Sequence, residues 1–212
     1  MKKYIFALFL LIPLFSYSQT YKSYGLKFGY TLHENGWNSP DTQGYAYHNK
    51  AYIYTAYLGA YGEFFGKKYF NTMVDAAIRV RQFFFQYDKS LVNPPANERT
   101  DSWYFTLAVS EKLKYDYENW SFYVYGGLKG DVRMHNAVAN DFQDVFNNSN
   151  TFIFGATSGI GFAKGISKFW RISFDIYYEP DITNTFSSAK GIVRTNEIGF
   201  KIGVGPFNPG NK

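Results

Sequence analysis

Thirteen ionisable side chains stand on one alternate-residue face of the segments that carry them. They are Lys27, Glu63, Asp75, Arg79, Arg81, Lys129, Asp131, Arg133, Arg171, Asp175, Glu179, Glu197 and Lys201. Both signs are nearly equally represented, which suits charge neutralisation by ion pairing better than the single-sign lining that an ion pathway favours. The other candidates for chemistry are the three histidines, His33, His48 and His135. His33 and His135 could join Asp141 or Asp144 around a metal, but none of these residues has the close spacing of a ligand set. No serine lies two residues from any histidine, and no paired acids stand near one. We therefore read the histidines as solvated residues in or beside surface connections, and expect no catalytic, metal or cofactor site.

One glycine-rich run points elsewhere. GATSGIG, residues 155–161, follows the apolar Phe152-Ile153-Phe154 and resembles the cofactor turn of short-chain dehydrogenases, in which glycines let the backbone approach a pyrophosphate at a helix N-terminus. That chemistry needs a helix next. The sequence continues instead with FAKGISKFW, residues 162–170, which holds a glycine and a turn and leads into an alternating segment. The Tyr-x-x-x-Lys pair of that family has its match in Tyr125 and Lys129, which precede the glycine run rather than follow it. Gly155, Gly159 and Gly161 read better as inward strand positions that leave room for bulky neighbours.

The elements that must position these residues follow from a period of two. In KFWRISFDIYYEP, residues 168–180, Trp170, Ile172, Phe174, Ile176 and Tyr178 share one face, and Arg171, Ser173, Asp175, Tyr177 and Glu179 share the other. The same alternation predicts eight strands, near 21–33, 50–64, 70–86, 102–114, 120–134, 150–163, 168–180 and 191–205. Short connections at 65–68, 115–119 and 164–167 alternate with longer polar ones at 34–49, 87–101, 135–149 and 181–190. Outward positions expected to meet lipid include Leu26, Phe28, Leu58, Ala60, Val74, Ile78, Val80, Phe105, Leu107, Val109, Phe122, Val124, Leu128, Phe154, Ile160, Ile172, Phe174, Ile176, Phe200, Ile202 and Val204. Trp103, Trp120, Trp170, Tyr52, Phe64, Phe162 and Tyr178 lie near strand ends, where amphipathic rings favour a membrane interface.

The N-terminus reads as an export signal. Lys2 and Lys3 precede the apolar Tyr4 to Phe15, and Ser16-Tyr17-Ser18 places small residues at the positions that a signal peptidase reads. Cleavage is expected before Gln19, leaving residues 19–212 as one domain. The chain has no cysteine, so it holds neither a disulfide nor an acylated N-terminal cysteine. Aromatic residues are 22% of the 212, yet the mean hydropathy is −0.31, so its hydrophobes must be hidden by alternation rather than in apolar runs. Of the net charge of +5, two units leave with Lys2 and Lys3, and the remainder is spread along strands. Nucleic acid is not an expected partner.

Alternation, export and loop asymmetry together give an all-β fold, an eight-stranded antiparallel up-and-down transmembrane β-barrel. The mature chain resembles the small eight-stranded outer-membrane barrels of Gram-negative bacteria, of the OmpA transmembrane-domain and OmpX kind. It is most similar to the porin-family or PorT-like outer-membrane β-barrel proteins. EIGFKIGV, residues 197–204, matches the last-strand assembly signal of such proteins through Glu197, Gly199, Ile202 and Val204, although the chain runs on through GPFNPGNK instead of ending on an aromatic. The resemblance implies an outer-membrane location, contact with membrane lipid and lipopolysaccharide, and recognition by the barrel-assembly machinery.

Three functions fit such a chain. The first is a non-enzymatic structural or surface-interaction protein, serving adhesion, envelope integrity or a membrane complex, with a filled and ion-paired lumen. Trp37, Tyr45, Tyr47, Phe142, Val145 and Phe146 in the long connections are then candidate contacts for an envelope or extracellular protein. The second is a narrow porin-like channel for small solutes, and the third a lipid A-modifying enzyme. Topology is testable directly, because native cysteine is lacking. Single cysteines at Asn97, Asn147 or Ser188 should react with a membrane-impermeant thiol reagent on intact cells, and one at Lys67 should not. The opposite labelling pattern would invert the topology.

Overall fold

The computed structural model describes residues 23–38, 53–64, 69–85, 98–137, 150–167, 169–188 and 191–206. The proposed signal segment, most of the long connections, and His48, Asp141 and Asp144 lie outside them. Among the described residues there are nine strands: β1 (Ser23–Asn38), β2 (Ile53–Phe64), β3 (Phe70–Phe85), β4 (Glu98–Tyr117), β5 (Trp120–Ala137), β6 (Phe152–Gly165), β7 (Trp170–Pro180), β8 (Phe186–Ser188) and β9 (Gly191–Pro206). Each of the long strands pairs antiparallel with the next around the wall, and β1 closes the ring against β9 from Leu26↔Val204 to Asn38↔Ile192. Closure removes the sheet edges, so the wall can satisfy its backbone polar groups without water. Ser23 and Pro206 both lie at the end that carries the short turns. At that end β4 and β5 run on to Tyr117↔Trp120, so the connection expected over 115–119 contracts to Glu118-Asn119, with Glu118 at φ 53°.

The seventh wall strand is in two pieces. Pro180 faces Asn196, whereas Phe186 faces Val193, so β7 and β8 form one line along β9 with three extra residues looped out between them. Pro180 has no N–H to give, which locally ends regular pairing. The β6–β7 ladder stops at Ser158↔Tyr178, and beyond it only Gly155 and Asp181 bridge. The looped residues turn back to β6, where the N–H groups of Ile182 and Thr183 both donate to the Phe154 carbonyl, at 2.8 and 3.0 Å. The polar composition of 181–190 predicts a surface connection throughout; the structure shows instead an insertion held against the wall followed by a strand continuation. Similarly, β1 runs on to Asn38 and β4 starts at Glu98, because both pair with long neighbours.

Burial is inside out relative to a soluble domain. Leu26 and Leu58 are 62% and 63% exposed, while Arg81 is fully buried. All the outward positions named from the sequence are exposed or half-buried, and the charged and hydroxyl-bearing residues between them are covered. Aromatic rings pack on one another along the outer surface: Trp120 stacks with Phe122 and Phe174 with Phe200, and Trp120 meets Phe162 at a tilt. An apolar surface this continuous suits hydrocarbon and would aggregate in water. A wall without edges should also resist dodecyl sulfate until heated. The purified protein is therefore expected to migrate differently before and after boiling; identical migration together with a helical circular dichroism spectrum would contradict the barrel.

Candidate functional site

Inward residues of neighbouring strands meet across the lumen, because a barrel of eight strands is only wide enough to be filled by side chains. The charges are stacked in layers. Nearest the short turns, Glu63 on β2 accepts from Lys112 Nζ at 2.6 Å and Asn71 Nδ2 at 3.0 Å, with Arg171 at 4.0 Å. The Lys112 ammonium also sits 3.5 Å from the centre of the Tyr123 ring. Next, Lys27 lies 3.2 Å from both Asp75 and Asp175, and the Tyr123 hydroxyl donates to Asp175. Above that, Lys201 reaches Glu179 at 3.0 Å and is held between the rings of Tyr57 and Tyr177.

The upper layers converge on two arginines. Arg79 reaches Glu179 at 2.7 Å and Glu197 at 2.5 Å. Arg81 reaches Glu197 at 2.5 Å, Asp131 at 2.8 Å and Asp181 at 3.1 Å. Lys129 lies 3.4 Å from Asp131, 3.2 Å from Asp181 and 3.8 Å from Glu179. Hydroxyls fill the remaining valences: Thr106 donates to Asp131, Thr157 to Glu179 and Thr185 to Asp181. Among the described buried side chains, seven acids (Glu63, Asp75, Asp131, Asp175, Glu179, Asp181 and Glu197) meet seven lysines and arginines (Lys27, Arg79, Arg81, Lys112, Lys129, Arg171 and Lys201).

Twelve of the thirteen charged residues named from the sequence are buried in this core, and Arg133 is half-buried at the upper end of β5. Three members were missed. Lys112 had a readable signal, since it shares parity with Thr106 and Ser110, opposite Val109 and Leu113. Asp181 shares the inward parity of Asp175, Tyr177 and Glu179, but it lies just past Pro180, beyond the expected end of that strand. The expectation of a solvated His33 is corrected: on the inward parity of Lys27, Gly29 and Thr31, with β1 running on past it, it lies inside, 1% exposed, beside Thr55 and 3.5 Å from Glu197. His135 is exposed on β5, in register with Trp103. Of the residues matched to the assembly signal, Glu197 and Gly199 point inward and Ile202 and Val204 outward, and Glu197 is the acid shared by both central arginines. Trp37 falls within β1, and Tyr45, Tyr47, Phe142, Val145 and Phe146 lie outside the described residues.

The glycine run belongs to β6, with strand rather than helix after it. A β-carbon at Gly159 would lie 2.5 Å from the Tyr125 ring and 2.6 Å from the Ile176 carbonyl, and one at Gly155 would lie 2.5 Å from Lys129 Cε. These glycines thus make room for the aromatic and lysine side chains of β5, not for a pyrophosphate. At the turn end, half-burial would raise the Asp116 carboxyl, but hydrogen bonds from Lys114, at 2.8 Å, and from Ser121 hold it below the usual range.

Removing one member of a buried ionic cluster strands its partners, at a cost of about 3 to 5 kcal/mol, whereas an exposed pair contributes about 0 to 1 kcal/mol. Arg81→Ala, which leaves Asp131, Asp181 and Glu197 underpaired, should clearly lower the temperature of the heat-induced gel shift. Lys114→Ala, at the partly exposed pair with Asp116, should leave it nearly unchanged; equal effects would show that the lumen cluster is not structural.

No protein-family model and no curated protein sequence matches the chain. Solved structures do. The outer membrane protein OprG of Pseudomonas aeruginosa is similar at 10% identity and a TM-score of 0.56, over 89% of this chain and 97% of that one. Outer membrane protein W of E. coli aligns at 12% identity and a TM-score of 0.47, over 89% and 99%. Likeness of the first kind concerns architecture. The closed ring of eight antiparallel wall lines, polar within and apolar without, is the fold of a small outer-membrane β-barrel.

Proposed function

We propose that this chain is an integral outer-membrane protein whose barrel is a closed anchor, and that it acts without catalysis as a structural or surface-interaction protein. The observation that carries this reading is the balanced, layered ion-pair core. Opposite charges are spent on one another across the lumen, whereas a conducting pore is expected to leave a lining of charge or water available to a solute. The apolar outer wall supports residence in a bilayer, and the N-terminal export pattern supports the outer membrane. Lipid and lipopolysaccharide then surround the wall, and the barrel-assembly machinery would read the last strand through Glu197, Gly199, Ile202 and Val204.

Work on a partner falls in this reading to the long connections opposite the chain termini, since the wall faces lipid and the lumen is filled. An envelope or extracellular protein is the expected class of partner, with the aromatic residues of those connections as contacts. The purified protein in planar bilayers should show little steady conductance. Large ion-selective single-channel currents from the unaltered protein would instead assign it to the porin-like class.

A further inference from the structure

We infer that the upper lumen is a binding site for a tetrahedral oxyanion, a phosphate or phosphate monoester, and that Asp181 is its tethered, exchangeable occupant. Asp181 is gripped as a free anion would be. Two nitrogens of Arg81 take its two oxygens, each at 3.1 Å, Lys129 Nζ stands 3.2 Å away, and the Thr185 hydroxyl donates at 2.9 Å. Arginine forks of this kind recognise carboxylate and phosphate alike. Yet the acid lies past the end of the continuous β6–β7 ladder. It opens the insertion that interrupts the seventh wall strand, where its backbone only bridges Gly155 and donates to the Thr195 carbonyl. The insertion is held to β6 through the Phe154 carbonyl, the Thr183 hydroxyl and the Asn150 contacts to Asn184 and Thr185, and to β9 through the Thr185 N–H on the Val193 carbonyl and Arg194 on Asn184.

The site also offers more donors than the Asp181 carboxylate uses. The Tyr104 hydroxyl and the Ser102 hydroxyl are buried and make no hydrogen bond. Ser102 is the cross-strand neighbour of Arg81, and Tyr104 lies against the Arg81 guanidinium, 4.9 Å from ring centre to Cζ. An oxyanion with four oxygens could use these groups where a carboxylate with two cannot. Arg133, half-buried two residues beyond Asp131 on β5, adds positive charge on the side of the long connections. Asp131 and Glu197 also hold Arg81, and both are negative. An incoming anion must therefore replace Asp181 rather than join it, and its binding would release the insertion toward the surface.

This inference rests on the closed-barrel reading, so conductance is measured on the same preparations to keep the two failures apart. Inorganic phosphate is titrated into the detergent-solubilised full chain, against chloride at equal ionic strength. Loss of one charge-assisted contact corresponds to roughly tenfold or more in affinity. Asp181→Ala should therefore bind inorganic phosphate roughly tenfold or more tightly than the unaltered protein, and Lys129→Gln added to it should reverse the gain. Because the variants could fail to fold, the unaltered protein is also tested: phosphate, but not chloride, should increase proteolytic cleavage or hydrogen exchange within 181–190. Nanodiscs containing phosphatidic acid distinguish a lipid phosphate from a soluble one, and the position of the cluster inside the lumen favours the soluble form. Equal phosphate affinity with and without Asp181, or an unchanged 181–190 segment in phosphate, would overturn the site. Steady conductance in the unaltered protein would overturn the closed barrel beneath it.

Discussion

The backbone of a membrane-spanning strand must find all its hydrogen-bond partners in protein, because hydrocarbon offers none. Everything else in this molecule follows from that constraint. It forces β1 against β9, and the closed ring then assigns every residue to lipid or lumen by its parity alone. Leucine, isoleucine and phenylalanine can occupy the first class of position. The second class is left with polar side chains in a space too narrow for bulk water, so those side chains must satisfy each other. The seven-to-seven balance of acids against lysines and arginines among the described buried residues expresses this: a surplus ion inside would have no counter-ion in the lipid outside.

Much of the architecture was legible in the chain for the same reason. A period of two is imposed locally, by the pleat, so Trp170 to Glu179 could be sorted into faces without knowing any neighbour. Which charges meet is a different matter. Lys27 on β1 is shared by Asp75 on β3 and Asp175 on β7, and Arg81 on β3 is shared by acids on β5, on β9 and in the β7–β8 insertion. These contacts cross the barrel, and depend on tilt and side-chain reach, which alternation along a single strand does not encode.

Two of the three misses share a cause. Lys112 lies within an expected strand and was legible from its parity, but His33 stands at the last position of an expected strand and Asp181 just past another, where polar composition reads as the sign of a connection. Inside a filled barrel that sign fails, because an inward-facing strand end is as polar as a loop. Strand ends are therefore better judged by the reach of the neighbouring strands. β1 continues to Asn38 because β9 is there to pair with it from Ile192 onward, and β8 resumes the line of β7 for the same reason.

Ion pairs of this kind need not contribute much net stability, since their desolvation offsets most of their attraction. Their larger effect here is on register. A slip of one residue between β7 and β9 would turn Arg171, Asp175 and Glu179 toward hydrocarbon and Ile172, Phe174 and Ile176 into the charged core. The cost of that error is far greater than the gain from any single pair in the correct arrangement. Glu197 shows the point most directly, because it takes both Arg79 and Arg81 and lies on the strand that closes the ring. Displacing β9 by one position would remove the shared acid from both arginines at once, so the same residue that neutralises the core also fixes where the barrel may close.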